Sequence, residues 1–268
     1  MILTSSMHRR RASKRDRTPS TARRSDRVRE RGFTLLELLI VIFLIGMLAA
    51  LMLPSLARGK SAAQRVRCLT NLHQLGLATQ LYWDDHDSLA FRYREGTTNN
   101  GDLYWFGWLQ RGSEGERQLD HRQGVLYAYL TGRGVELCPS LKYGSSVLKL
   151  KASGAAYGYG YNLALSPTPN KPRVNVRNLP TPTDTTVFAD AAQVNDFQAP
   201  ASKEHPMLEE FYYVTAKEPT VHFRHQARAN VVFADGHVGT ETPAEGSIDG
   251  RLPAEWVGRL RSELLLAR

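Results

Sequence analysis

The chain has 268 residues, a formal net charge of +9 and a pI near 9.7, a balance that by itself suggests a nucleic-acid partner. The distribution of the charge removes that suggestion for the chain beyond residue 32. Eleven of the 35 basic residues and three of the 26 acidic ones fall in 1–32, a net of +8, and the remaining 24 and 23 nearly cancel.

Residues 1–32 carry almost no apolar side chains, so this basic leader is expected to be disordered. An arginine-rich tail that binds nucleic acid is a competing reading. It is the less economical one, because excess Lys/Arg ahead of an apolar run already serves to keep that side cytoplasmic. The run that follows, Phe33 to Leu53, contains a single charge, Glu37. At 1.5 Å per residue it reaches roughly 31 Å, enough to cross a bilayer core. A secretory signal would have a shorter apolar core followed by a small-residue cleavage site. Here Pro54-Ser55-Leu56-Ala57 leads straight into helix-compatible sequence, so the span is expected to stay as an anchor. A carboxylate inside such a span costs about 2.5–3.5 kcal/mol, and Glu37 therefore calls for a use.

The string Arg31-Gly32-Phe33-Thr34-Leu35-Leu36-Glu37-Leu38-Leu39-Ile40-Val41-Ile42 resembles the type III (prepilin) signal of type IV pilins and type II secretion pseudopilins. The resemblance implies that a prepilin peptidase cuts after Gly32 and methylates the new N-terminus at Phe33. It also implies that Glu37 pairs with the N-terminal amine of a neighbouring subunit, which neutralises both charges where the dielectric is low. The expected setting is the inner membrane, single-pass, with a cytoplasmic N-terminus and an extracytoplasmic head. The expected partners are the peptidase, an assembly platform and like subunits, with no nucleic acid. A plain signal-anchor helix would leave Gly32 and Glu37 without a role.

Further along, Pro54 should bend the helix, and Ser55 to Tyr82 reads as its continuation. Ala62, Val66, Leu69, Gly76 and Leu77 fall on one side, with Lys60, Arg67 and Gln74 opposite. Trp83-Asp84-Asp85-His86-Asp87-Ser88 ends it with turn-forming residues. Residues 85–268 suffice for one head with its own core. Thr186 to Ala189 and Tyr212 to Val214 have strand composition. Asn230 to Ala234, Asp235-Gly236 and His237-Val238 read as a hairpin with a type I′ turn. Long loops are expected over 93–120 and 163–183, and a short closing helix over 254–268 with Trp256, Val257, Leu260 and Leu264 on one face. The expected fold class is thus α+β and pilin-like. A leader (1–32), a transmembrane helix (33–53) and its extracytoplasmic extension (54–84) precede an antiparallel head (85–268).

Cys68 to Ala78, Cys138-Pro139-Ser140, Tyr157 to Asn162, Asp184 to Asp190 and His225, nine residues, Asp235-Gly236 occur in that order. Together they resemble a large group of prepilin-type proteins with a C-terminal His-x9-Asp-Gly signature. A hairpin would gather His222, His225, Asp235 and His237, which is metal-ligand chemistry, but the spacing matches no zinc pattern. A structural role for His225, Asp235 and Gly236 is the simpler reading, and no metal is expected there. Asp84, Asp85 and Asp87 could hold Ca²⁺, although the glycine and closing glutamate of an EF-hand loop are absent and a solvated acidic turn is the simpler reading. Cys68 and Cys138 could bridge in an oxidising compartment or remain free and buried. No nucleophile elbow, phosphate loop or HExxH helix is present, so neither catalysis nor a cofactor is expected. Two rival functions stay open: a membrane-anchored polysaccharide- or protein-binding module that uses the aromatic stretches Tyr104–Trp108 and Tyr157–Tyr161, and a metal-dependent hydrolase built on His225 and Asp235.

Overall fold

The computed structural model describes residues 32–132, 136–154, 157–166 and 171–265; the leader expected over 1–32 lies, up to Arg31, outside the described residues. The chain separates into two compact units, 1–51 and 52–268.

Helix α1 spans Leu35–Asp85 and continues through Pro54. Its first turn is fixed by a capping box. The Thr34 N–H and hydroxyl both donate to Glu37 Oε2 at 2.9 Å, and the Glu37 N–H donates to Thr34 Oγ1 at 3.1 Å, so two otherwise unpaired backbone donors are satisfied reciprocally. The apolar side chains from Leu35 to Leu53 are all exposed. An 18-residue window of α1 has a mean hydropathy of 2.8, and the helix is long and apolar enough to cross a membrane.

In the second unit α1 buries Cys68, Asn71, Leu72, Leu75, Gly76, Ala78, Thr79, Tyr82 and Trp83. This is not the expected stripe. Ala62, Val66 and Leu77 are exposed and Leu69 is half-buried, so the packed face is rotated by about a third of a turn from the aliphatic one. The reason is that polar and small residues serve as core here. Asn71 Nδ2 donates to Leu137 O at 3.1 Å and to Tyr159 Oη at 3.0 Å, and Thr79 Oγ1 returns its proton to Leu75 O at 2.8 Å. Gly76 lets the helix approach the sheet: a Cβ there would stand 2.7 Å from Val232 Cγ2.

The first strands form an antiparallel meander, β1 (Arg94–Thr98), β2 (Gly101–Tyr104), β3 (Gly107–Gln110) and β4 (Leu119–Asp120), where a long loop was expected over 93–120. The two-residue link Asn99-Asn100 has positive φ at both positions, the conformation a tight hairpin needs. Next come β5 (Leu148–Lys149), β6 (Tyr159–Asn162), β7 (Thr186–Asp190), β8 (Gln193–Asn195), β9 (Met207–Glu209) and β10 (Tyr213–Val214). The last four strands are β11 (Val221–His222), β12 (Ala229–Phe233), β13 (Val238–Glu241) and β14 (Val257–Gly258). The central sheet has the order β10-β6-β7-β12-β13. The head is mixed rather than purely antiparallel, because β10 pairs with β6, and β5 with β9, in parallel.

Strand β12 shows the two-residue period that makes both cores. Ala229, Val231 and Phe233 belong to a cluster with Phe223, Leu260 and Leu264, while Val232 joins the larger cluster of Leu72, Leu75, Tyr159, Tyr161 and Phe188. The expected closing helix is replaced by two 3₁₀ turns, Pro253–Glu255 and Ser262–Leu264, with β14 between them. Val257, Leu260 and Leu264 are buried as expected, but Trp256 is 45% exposed. Among its described residues the region 163–183 carries two 3₁₀ turns, Leu163–Leu165 and Val176–Asn178, and an isolated antiparallel bridge from Asn175 to Leu89. The architecture is α+β, with one long N-terminal helix and a sheet-rich head.

Candidate functional site

Two regions draw chemistry-bearing residues together. At the start of α1, Gly32 and Phe33 precede the capping box, and the Phe33 ring is 72% exposed. Glu37 is held at the helix N-terminus by Thr34, one turn from Phe33. That local bonding is a use for the carboxylate that sequence reasoning missed, and the pattern Thr-x-x-Glu ahead of an apolar run was the signal for it.

The second region is buried in the head. Cys68 of α1, Cys138 of the loop before Pro139 and His225 of the turn after β11 bring their donor atoms within 4.8 Å of one another. Both thiols are free. Asp190, at the end of β7, is fully buried and anchors the group. Its Oδ1 accepts from Arg224 Nη2 at 2.8 Å and its Oδ2 accepts from the Asn230 N–H at 2.7 Å. Asp190 Oδ2 also stands 3.2 Å from His225 Nε2, and the Cys138 thiol lies 4.0 Å from Oδ1. Cys68 Sγ stands 3.8 Å from Ser140 Oγ. Arg224 completes the arrangement by donating to the carbonyls of Gly158 and Ala191 and, at 2.9 Å, to His222 Nδ1. A guanidinium has no acceptor, so His222 accepts at Nδ1.

The electrostatics follow from this packing. Burial alone would raise the Asp190 carboxyl, but Arg224 and then His225 outweigh it and hold it below the usual carboxylate range. Burial opposes protonation of His225, and the contacts with Asp190 and Cys138 reverse that and raise it. His222 is pushed well below the ordinary imidazole value by burial, reinforced by Arg224. The Cys138 thiol is pushed up by burial, whereas the hydrogen bond with Cys138 lowers Cys68.

The motifs Cys68–Ala78, Cys138-Pro139-Ser140, Tyr157–Asn162, Asp184–Asp190 and Arg224-His225 are far apart in sequence, yet each contributes a group to this cluster. Sequence reasoning singled out Cys68, Cys138 and His225 but missed Asp190 and Arg224 as their partners. The backbone at the site is unusual as well. Gln226 and Ala227 both have positive φ (58° and 60°), and the His225 N–H donates to Arg228 O at 3.0 Å. This is the type I′ signature, adopted by two residues that favour it little.

Asp235 and Gly236 are elsewhere. Five residues of β12 separate them from His225, roughly 14 Å of strand, so the expected grouping of His222, His225, Asp235 and His237 does not form. The Asp235 turn is also not type I′. Gly236 has φ +92° and donates to Phe233 O at 2.9 Å, while the Phe233 N–H donates to His237 O at 2.9 Å, a three-residue loop closed by a left-handed glycine. Asp235 Oδ1 accepts from the His237 N–H at 3.1 Å and lies 2.6 Å from its Nδ1.

At the end of α1, Asp84, Asp85 and Asp87 are exposed. Asp85 accepts from Tyr129 Oη at 3.0 Å, and His86 stacks on Tyr82 at 3.8 Å. The aromatic stretches are core rather than surface, since Trp105, Phe106, Tyr157, Tyr159 and Tyr161 are all at most 3% exposed. On β9, Glu209 is buried against Lys149 at 2.6 Å. Its neighbour Glu210 accepts from Tyr212 Oη and, at 3.2 Å, from the Lys151 N–H, and burial raises its carboxyl to about 7.

Residues 27–53 match the prokaryotic N-terminal methylation motif. The chain is similar to the type II secretion system core protein G of Pectobacterium carotovorum, 39% identical over 59 residues, which is 22% of this chain and 38% of that one. It is 36% identical over 73 residues to core protein G of Escherichia coli K12, 27% of this chain and 46% of the relative. It is 37% identical over 59 residues to the type IV major pilin protein PilA of Myxococcus xanthus, 22% of this chain and 27% of the relative. The chain thus spans less than half the length of these curated relatives. No solved structure matches it. Together with this motif and these relatives, the long apolar helix and the sheet-rich head fit a pilin-like α+β fold.

Proposed function

We propose that this chain is a structural or accessory subunit of a type II secretion pseudopilus or a type IV-like pilus, working without catalysis. A prepilin peptidase cleaves after Gly32 and methylates Phe33. The helix from Phe33 to about Leu53 holds the subunit in the inner membrane, N-terminus cytoplasmic and head extracytoplasmic, until an assembly platform packs it against like subunits. One observation carries this reading: the methylation motif over 27–53 overlaps the 51-residue helix α1, whose apolar side chains from Leu35 to Leu53 are exposed among the described residues. The packing of Trp105, Phe106, Tyr157, Tyr159 and Tyr161 in the core, with Tyr104 and Trp108 half-buried, supports this reading over a polysaccharide-binding one, and the placing of Asp235 in a different turn from His225 supports it over a hydrolase. Membership of the His-x9-Asp-Gly group rests on the order of its motifs in the chain; all of them but Asp235-Gly236 contribute to one buried cluster.

Intact mass of the protein recovered from membranes tests processing. A chain beginning at methylated Phe33 supports the reading, and retention of residues 1–32 leaves only an anchored head. Glu37 separates capping from assembly. Glu37→Gln keeps a capping-box side chain and discards the charge, whereas Glu37→Ala discards both. If the carboxylate pairs with a neighbour's amine, both variants lose filament incorporation with the head folded. Normal incorporation of Glu37→Gln would reduce Glu37 to a helix cap.

A further inference from the structure

We propose that Cys68, Cys138 and His225 bind one thiophilic divalent metal ion of the zinc class, clamping α1 to the head. The three side chains are buried and their donor atoms already lie within 4.8 Å of one another. A tetrahedral zinc ion with sulfur at about 2.3 Å and nitrogen at about 2.0 Å brings such donors to roughly 3.5–3.8 Å apart, a closure that small side-chain rotations supply. The ligands come from three segments, the helix, the loop before Pro139 and the strained turn at Gln226-Ala227, so the ion would cross-link elements distant in sequence. That wide separation is why no zinc spacing is visible in the chain.

A second observation points to an occupant. Asp190, held by Arg224 and the Asn230 N–H, stands 3.2 Å from His225 Nε2 and borders Cys138. Carboxylates behind metal-ligating histidines take one ring nitrogen in this way and leave the other, here Nδ1, for the ion. Charge also balances. Binding releases the two thiol protons, and any proton on the ligating imidazole nitrogen, to solvent, and two thiolates neutralise the divalent ion beside the already neutral Asp190–Arg224 pair. A cavity of about 300 Å³ bounded by Ser61, Arg65, Leu69 and Gln226 reaches His225 and offers an entry path.

The test uses the full chain, extracted in mild detergent, reduced, stripped of metal and titrated with Co²⁺ and then Zn²⁺. One equivalent of cobalt should produce thiolate-to-metal charge-transfer absorption with the intense visible bands of a tetrahedral site, and zinc should bleach both. Cys68→Ser, Cys138→Ser and His225→Gln should each abolish the cobalt spectrum, and His237→Gln on the exposed hairpin should leave it unchanged. Asp190→Asn should weaken zinc binding about 10–100-fold. Should the ligand variants fail to fold, thiol counting on the unaltered chain still decides: two thiols reactive without metal, both protected by one zinc. No uptake by the reduced chain, or a spectrum that survives all three ligand variants, overturns the proposal. So does a native mass two hydrogens short, showing a Cys68–Cys138 disulfide, in a chain that takes no metal after reduction.

Discussion

The two stretches of α1 make the same secondary structure by different physics. From Leu38 to Leu53 the helix is apolar on every side, and each of its large side chains stays exposed, as a lipid- or subunit-facing segment requires. From Cys68 to Trp83 only one face is buried, and it includes Asn71, Gly76 and Thr79 beside Leu72 and Leu75. The first stretch asks only for bulk hydrophobicity, which many sequences satisfy. The second asks for particular shapes and hydrogen bonds: an amide that reaches Tyr159, a glycine that admits Val232, a thiol beside Ser140.

The largest expected effect sharpens that contrast at its polar extreme. Asp190→Ala leaves Arg224 and His225 buried without their carboxylate and should cost the head about 3–5 kcal/mol, read by urea denaturation of the solubilised chain. Next, Leu72→Ala, at a fully buried site, should cost about 2–5 kcal/mol, while Leu48→Ala should leave the head's transition where it was. Equal effects of the two would break the distinction between the stretches.

Glu210 supplies the pH dependence. Burial favours its protonated form and lifts its folded value to about 7 from an ordinary 4.5, so the native state holds a proton that the unfolded chain releases. This contribution to stability is complete below about 4.5 and lost as pH rises through 7, a swing of about 3 kcal/mol. Glu210→Gln should therefore gain on the native protein as pH climbs from 5 to 8; a constant difference between the two would show that Glu210 is not buried in this way. The smallest effect belongs to the turn beside His225. Ala227→Gly relieves a left-handed alanine and should stabilise the head by about 1 kcal/mol, seen as a small rise in melting temperature.

Much of the helix was legible because its signals are local. The basic leader, Gly32, the apolar run and the acidic turn after Trp83 all lie within a few residues of what they specify. The meander at β1 to β4 was missed although Thr98-Asn99-Asn100-Gly101 carries a two-residue hairpin signature, because its polar strands lack the alternation expected of a half-buried sheet. The type I′ turn was expected at Asp235-Gly236 and occurs at Gln226-Ala227, where neither residue advertises it. There the constraint is imposed from outside, by His225 held against Asp190.

By itself, then, the sequence determined the match to the N-terminal methylation motif, the existence and length of α1, its apolar run and the α+β class. These depend on composition and near-neighbour pattern. Which face of α1 meets the sheet, and the meeting of Cys68, Cys138, Asp190, Arg224 and His225, were decided only in three dimensions. Residues so distant in the chain acquire a common environment only when β7 and β12 pair and the helix closes over them, and no local propensity records that contact.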